Sequence, residues 1–169
     1  MNSDVAVADW IKRIAEDERQ RDAVRLASHD DAARKADRLR HHRRRLVGEL
    51  RAAILRDVEG FRGEFPDDRA REIVLDATKP NGGFVVRRVA APPVSLTIDP
   101  RLDAGTIACA YRFASPNGHP PRDDRFKLSF AANGDAAPQM KLHGTWRVFA
   151  TADALSEFLL GPVFTGRPR

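Results

Sequence analysis

The 169-residue chain contains one cysteine, Cys109, so no disulfide can form within it. A fold without disulfides is held together by packing, as is usual for a cytosolic protein. Cys109 lies in the apolar run TIACAYRF. We expect a buried, unreactive thiol there, because reactivity requires a lowered pKa and some exposure.

Long apolar runs are also absent. No window approaches the roughly 20 apolar residues that a membrane-spanning helix needs. The first residues, MNSDVAVADWIKRI, lack the basic start and apolar block of a signal peptide. We therefore expect a cytoplasmic protein that is not associated with a membrane.

The histidines do not form a metal-binding pattern. His41 and His42 are adjacent and would point about 100° apart on a helix, so they cannot converge on one ion. His29, His119 and His143 have no partner at ligand spacing. We expect no metal site and no cofactor.

Motifs of catalysis are missing as well. The segments KPNGGF and SPNGH lack the lysine and the strand-to-helix context of a phosphate-binding loop. We name no catalytic residue. A small hydrolase or ligand-binding sheet remains an alternative, in which His143 would act with Asp123 or Asp124 of the loop SPNGHPPRDDR. A deep pocket lined by His143 would favour that alternative.

The first 65 residues contain no proline, and helix-forming residues dominate them. Ser3 and Asp4 suit a helix start. Ser28 followed by Asp31 resembles a second start, which favours a break near His29 over one long helix. Apolar residues recur at spacings of three, four and seven in the later part: Leu39, Leu46, Leu50, Ile54, Val58, Phe61 and Phe65. Residues 1–65 are thus predicted to form a helical arm or hairpin.

From about residue 70 the apolar period changes to two, which is typical of strands. Asn-Gly turns separate several of these segments, in KPNGG, SPNGHPPRDD and AANGDAAP. Short connections without helices predict an antiparallel β-meander of about five or six strands. TADALSEFLLG predicts a short C-terminal helix capped by Thr151. The fold class is therefore α+β, with residues 66–169 as a second domain.

Residues 34–45 carry seven basic side chains and one acidic one, Asp37. One interpretation is that a helical hairpin lays Glu16, Asp17 and Asp22 beside these arginines, so that the patch is neutralised within the chain or by a second subunit. Another is that the segment binds nucleic acid through phosphate contacts, with little dependence on base sequence. A third is an acidic protein partner or a membrane surface, but the helix lacks the aromatic residues typical of interfacial helices. The candidate nucleic-acid contacts on this helix are Arg38, Arg40, Arg44 and Arg45.

Strand alternation predicts a second basic surface on one face of the sheet. RFKLSF and TIACAYRF direct their aromatic residues to one face, and MKLHGTWRVF, read as one strand, directs Leu142, Trp146 and Val148 inward. The opposite face would then bind anions through Arg112, Arg125, Lys127, Lys141, His143 and Arg147. Buried aromatic residues argue against the stacking of bases from a single strand.

The preferred function is a non-catalytic binding or assembly protein. A narrow apolar stripe on long polar helices is typical of shared helix packing, within the chain or between subunits. The partner would be another protein or a second copy of the chain, and nucleic acid is the alternative. The candidate helix-packing or assembly contacts are Trp10, Ile14, Leu39, Leu46 and Leu50.

Overall fold

The protein is described by a computed structural model that covers residues 9–131 and 139–169. The helix start predicted at Ser3 and Asp4 and the turn predicted in AANGDAAP lie outside these described residues. The α+β prediction is confirmed. The elements are α1 (Asp9–Glu64), β1 (Ile73–Asp76), β2 (Phe84–Arg88), β3 (Val94–Arg101), β4 (Thr106–Phe113), β5 (Arg122–Ala131), β6 (Gln139–Leu142), β7 (Val148–Phe149) and α2 (Ala152–Thr165).

The break predicted near His29 is wrong, because α1 continues through that position. Neither glycine nor proline occurs between Asp9 and Val47, and a serine inside a helix has only a modest unfavourable propensity. Ion pairs within the helix add local support: Arg21 lies 2.7 Å from Glu18, and Arg25 lies 4.0 Å from Asp22. The weak capping pattern at Ser28 therefore does not outweigh the surrounding helical sequence.

The chain divides into two compact units, one ending at Leu39 and the other comprising residues 40–169. In the first unit, every described residue is exposed except Ala15 and Leu39, which are half-buried. In the second unit, the rest of α1 buries its apolar stripe, with Leu50, Ile54 and Val58 completely inaccessible. The domain boundary predicted near residue 65 stays a prediction.

The seven strands form one antiparallel sheet in sequence order, from β1 to β7. The count exceeds the prediction because MKLHGTWRVF forms two strands, β6 and β7, instead of one. A turn at residues 143–147 separates them, with Gly144 at a φ of 76° and the amide of Thr145 donating to the carbonyl of Leu142 at 3.1 Å. The predicted burial of Trp146 and Val148 is consequently wrong, since their exposed fractions are 94% and 46%.

One face of the sheet forms the core together with α2 and residues 47–58 of α1. In β4, Cys109, Tyr111 and Phe113 are buried and Arg112 is exposed, which confirms the predicted alternation. The predicted cap of α2 is also confirmed, because Thr151 Oγ1 accepts a hydrogen bond from the amide of Ala154 at 3.1 Å. The opposite face of the sheet, called the outer face below, carries the polar side chains.

Candidate binding surfaces

The arginines of residues 34–45 differ in their burial and in their ion pairs. Arg40 forms an ion pair with Asp103 at 2.8 Å, and Arg45 lies 3.4 Å from Glu49. Arg43 is half-buried and donates to the carbonyl of Leu102 at 2.7 Å. Both ion pairs are largely exposed, so each contributes little to stability and can exchange for another anion.

The hairpin interpretation of this segment is wrong, because a continuous α1 cannot fold back on itself. Glu16 and Asp17 are exposed, and Asp22 lies near Arg25 of its own helix. The acidic partners come instead from the loop after β3 and from the next turn of α1. Within the part of the chain that the structure describes, Arg38 and Arg44 form no ion pair.

Arg44 lines a groove of about 730 Å³ between α1 and two loops. Arg51, two helical turns further on, and Arg101, at the end of β3, line the same groove. Three guanidinium groups around one open groove favour an anionic ligand. Arg51 and Arg101 were not predicted as site residues, although the sequence indicates both positions. Arg51 lies seven residues after Arg44 on the same helix face. Alternation in VSLTIDPR places Arg101 on the outer face.

The outer face has basic residues on neighbouring strands. Lys127 lies opposite Ala108, and Arg125 lies opposite Ala110. Because the two alanines are small, they leave a shallow groove of about 400 Å³, called the sheet groove below. Its other lining residues include Thr97, Asp99, Arg101 and Phe126.

Acidic residues neutralise only part of this face. Arg112 lies directly opposite Asp123, whose carboxylate is 3.8 Å from Arg125. Asp99 lies 3.6 Å from Arg101. Lys127 on β5 and Lys141 on β6 form no ion pair among the residues that the structure describes.

Two residues expected on this face lie elsewhere because of the turn between β6 and β7. His143 is exposed in the turn, and its amide donates to the carbonyl of Lys127 at 2.9 Å. The guanidinium carbon of Arg147 lies 4.4 Å from the ring centroid of Phe158 on α2 and 5.3 Å from that of Phe149. Arg147 thus packs against the aromatic residues at the end of the sheet. His119 is exposed in the loop before β5, whereas Asp123 and Asp124 are exposed near the start of β5 itself.

The predicted helix-packing residues fall into two groups. Trp10 and Ile14 are exposed, by 58% and 54%. Leu46 is half-buried against the core, and Leu50 is completely buried in it. Leu39 is half-buried at the end of the first unit. Only Trp10 and Ile14 are therefore fully available to a partner.

Among the described residues, the core holds two ionisable groups, Cys109 and Tyr111. Burial raises the pKa of the Cys109 thiol to about 12. Burial also raises the pKa of Tyr111 to about 12, while its hydroxyl donates to the carbonyl of Leu159 at 2.7 Å and accepts from Arg169 at 3.0 Å. Cys109 is thus protonated at neutral pH, as an unreactive thiol would be.

Within residues 9–131 and 139–169, no three His, Cys, Asp or Glu side chains are grouped closely enough to hold a metal ion. No helix in the same ranges is both long enough and apolar enough to cross a membrane.

Comparison with known proteins gives no relative: no family model, no curated protein and no solved structure matches this chain.

Proposed function

We propose that the protein is a non-catalytic assembly protein in which residues 9–38 of α1 pair with the same segment of a second copy. The observation that carries this proposal is the exposure of that segment, in which every residue except Ala15 is exposed. Helices in water obtain most of their stability from packing of an apolar face. A helix of this length that buries no face leaves its apolar side chains exposed for a partner helix to pack against.

The apolar residues of this segment are concentrated near its start. Trp10 and Ile14 lie one turn apart on the same side of the helix, and Ile11 is 42% exposed beside them. Exposed clusters of large apolar side chains typically mark interaction sites. Val24 and Leu26 add further exposed apolar surface, at 65% and 67%.

Charge favours a second copy as the partner. Residues 9–38 contain eight acidic and eight basic side chains, so two copies do not repel each other through net charge. Five of the eight acidic side chains precede residue 23, whereas the basic ones divide evenly, with four before it and four after it. An antiparallel pair would therefore place a segment with one excess acid beside a segment with one excess base.

The test is sedimentation equilibrium of the full chain over a range of micromolar concentrations. We expect self-association for the wild type and a monomer for Trp10→Asp/Ile14→Asp. Leu55→Asp is the matched control, because Leu55 is 42% exposed on the later part of the same helix. A monomeric wild type, or equal loss of association in the Leu55→Asp control, contradicts the proposal.

A second candidate is sequence-independent nucleic-acid binding through residues 34–45. It is supported by Arg38 and Arg44, which have no acidic partner among the described residues, and by the weak exposed ion pairs of Arg40 and Arg45. Loss of binding in Arg38→Ala/Arg44→Ala would support this candidate.

A cytoplasmic location is part of the proposal, and the single cysteine of the sequence supports it.

A further inference from the structure

Trp146 is the most exposed large apolar side chain that the structure describes, at 94%. The turn that holds it is well hydrogen-bonded. The amide of Leu142 donates to the carbonyl of Arg147 at 2.9 Å, and Thr145 Oγ1 donates to the carbonyl of Leu142 at 2.9 Å. The amide of Arg147 in turn donates to Thr145 Oγ1 at 3.1 Å. An ordered turn therefore presents the indole to the solvent.

Basic residues continue from this indole onto the outer face. Lys141 Nζ lies 5.1 Å from the ring centroid of Trp146, within the range of a cation–π contact. Lys141 lies directly opposite Ser129 on β5, and Lys127 follows two residues away on the same face. Arg125 is the next residue along that face, with 80% of its side chain exposed. Trp146, Lys141, Lys127 and Arg125 thus form a continuous row, called the basic row below.

The sheet groove lies beside this row. Its floor contains Ala108 and Ala110, and Lys127 and Arg125 form its β5 side. An extended chain with regularly spaced negative charges would fit along it, since successive residues of one strand face repeat every ~7 Å. That repeat is close to the phosphate spacing of an extended single strand.

We propose that the basic row binds single-stranded nucleic acid, with one base stacked on Trp146 and the phosphates next to Lys141, Lys127 and Arg125. Aromatic side chains beside a positively charged groove are the usual means by which proteins hold single strands without reading their sequence. A paired duplex keeps its bases stacked internally and cannot use the indole in this way. All four residues of the basic row lie outside residues 9–38, so the inference does not rest on the proposed assembly.

Two other ligands fit this surface less well. An acidic peptide would use the lysines but would have no need for an exposed indole. A membrane surface requires several apolar side chains together. Of the described residues from 139 to 149, Val148 is the only other large apolar side chain that is exposed.

The experiment is fluorescence anisotropy of the full chain with labelled oligo(dT), oligo(rU) and a DNA duplex of equal length, at several salt concentrations. We expect single strands to bind more tightly than the duplex. Trp146→Ala should weaken single-strand binding roughly 5- to 150-fold, and Trp146→Phe should restore most of it. Lys127→Ala and Lys141→Ala should each reduce the slope of log affinity against log salt by about 0.7.

Stacking can also be observed directly. The chain has two tryptophans, so Trp10→Phe leaves Trp146 as the only indole. In that variant we expect oligo(dT) to quench the tryptophan fluorescence. Lys12→Ala is the matched charge control, because it removes one exposed lysine far from β5 and β6 in the sequence and should leave the slope unchanged. Circular dichroism of each variant checks that the fold is retained.

Several results would overturn the inference. They are the absence of single-strand binding at low salt, duplex binding of equal strength, and an unchanged affinity in Trp146→Ala. Loss of binding in Arg38→Ala/Arg44→Ala but not in Lys127→Ala/Lys141→Ala would place the contact on α1 instead. Binding of poly-glutamate or of anionic phospholipid vesicles with greater affinity than oligo(dT) would identify a different ligand.

Discussion

The two parts of α1, residues 9–38 and residues 40–64, differ in their surroundings. Residues 9–38 and residues 40–64 both carry apolar side chains at helical spacing. Ile14 in the first part is 54% exposed, whereas Ile54 in the second part is completely buried. The difference shows that a helical period predicts which face of a helix is apolar and does not predict whether another element covers it.

The two parts of α1 differ in how regularly apolar residues recur along one face of the helix, called the stripe below. Between Leu46 and Val58 an apolar residue occupies the stripe at almost every turn, and these side chains enter the core with the sheet and α2. Between Ala15 and Arg25 the same positions are mostly charged. A continuous stripe indicates a helix that packs along its length, and an interrupted stripe indicates a local contact at most.

The largest expected effect comes from truncating the same residue type in each part. Ile54→Ala should lower the free energy of unfolding by about 2–5 kcal/mol, because it leaves a cavity among fully buried side chains. Ile14→Ala should change it by no more than about 0.5 kcal/mol in the monomer, because its side chain is already exposed. Urea denaturation at the lowest practical protein concentration measures both values.

A large effect of Ile14→Ala on the free energy of unfolding would contradict the claim that Ile14 is exposed and Ile54 is buried. If that effect grows with protein concentration, the exposed part of α1 is covered by a second copy, as proposed. If it does not depend on concentration, residues 9–38 pack within the chain and the assembly proposal fails. The slope of the unfolding free energy against urea should be the same for both variants if unfolding stays two-state.

A second pair of variants compares aspartates in the two parts. Asp57 Oδ2 accepts a hydrogen bond from Ser156 Oγ at 2.7 Å, and Ser156 is completely buried. Asp57→Ala should destabilise the fold by about 1–3 kcal/mol, because it leaves a buried hydroxyl without its acceptor. Asp22 has only an exposed neighbour, Arg25 at 4.0 Å, so Asp22→Ala should change stability by less than about 0.5 kcal/mol.

A double-mutant cycle separates the hydrogen bond from other roles of Asp57. Ser156→Ala removes the donor, so Asp57→Ala should be less harmful in that background than in the wild type. Asp57 also accepts from Arg56 at 2.8 Å, and that contact stays intact in Ser156→Ala. Equal costs of Asp57→Ala in both backgrounds would show that the bond to Ser156 contributes nothing.

Local patterns predicted the elements of this fold well. The alternation in TIACAYRF identified the buried face of β4, and Thr151 identified the start of α2, because each signal depends on neighbouring residues only. The prediction failed where a local signal was ambiguous. HGTWR continues an apparent alternation, but Gly144 permits a turn, and the turn reverses the environment of Trp146.

The candidate surfaces were less predictable because they depend on distant partners. The ion pair between Arg40 and Asp103 joins residues 63 positions apart, and strand register decides that Lys127 lies opposite Ala108. Periodicity alone gives neither of these contacts. The objection to single-strand binding was that the aromatic residues of the strands are buried; Tyr111 and Phe113 are buried, but Trp146 is exposed and is available for stacking.

The smallest expected effect concerns the core that covers residues 40–64 of α1. The pKa of Cys109 is raised from an ordinary 9.0 to about 12, and that of Tyr111 from 10.0 to about 12. The pKa values of Cys109 and Tyr111 are both higher in the folded state. Below pH 9 the folded and the unfolded chain therefore both keep these two protons, and stability does not depend on their ionisation. Above pH 9 the unfolded chain releases the Cys109 proton first, and stability should fall by up to about 1.4 kcal/mol per pH unit.

Cys109→Ala tests the assignment of this pH dependence. Its absolute stability differs from that of the wild type, so the readout is the change in unfolding free energy between pH 8 and pH 11. The variant should lose the decline that begins near pH 9 and keep the one that begins near pH 10, where Tyr111 starts to ionise in the unfolded chain. An identical decline in both proteins would mean that Cys109 ionises as readily in the folded state as in the unfolded one, and hence that the core beneath α1 admits water.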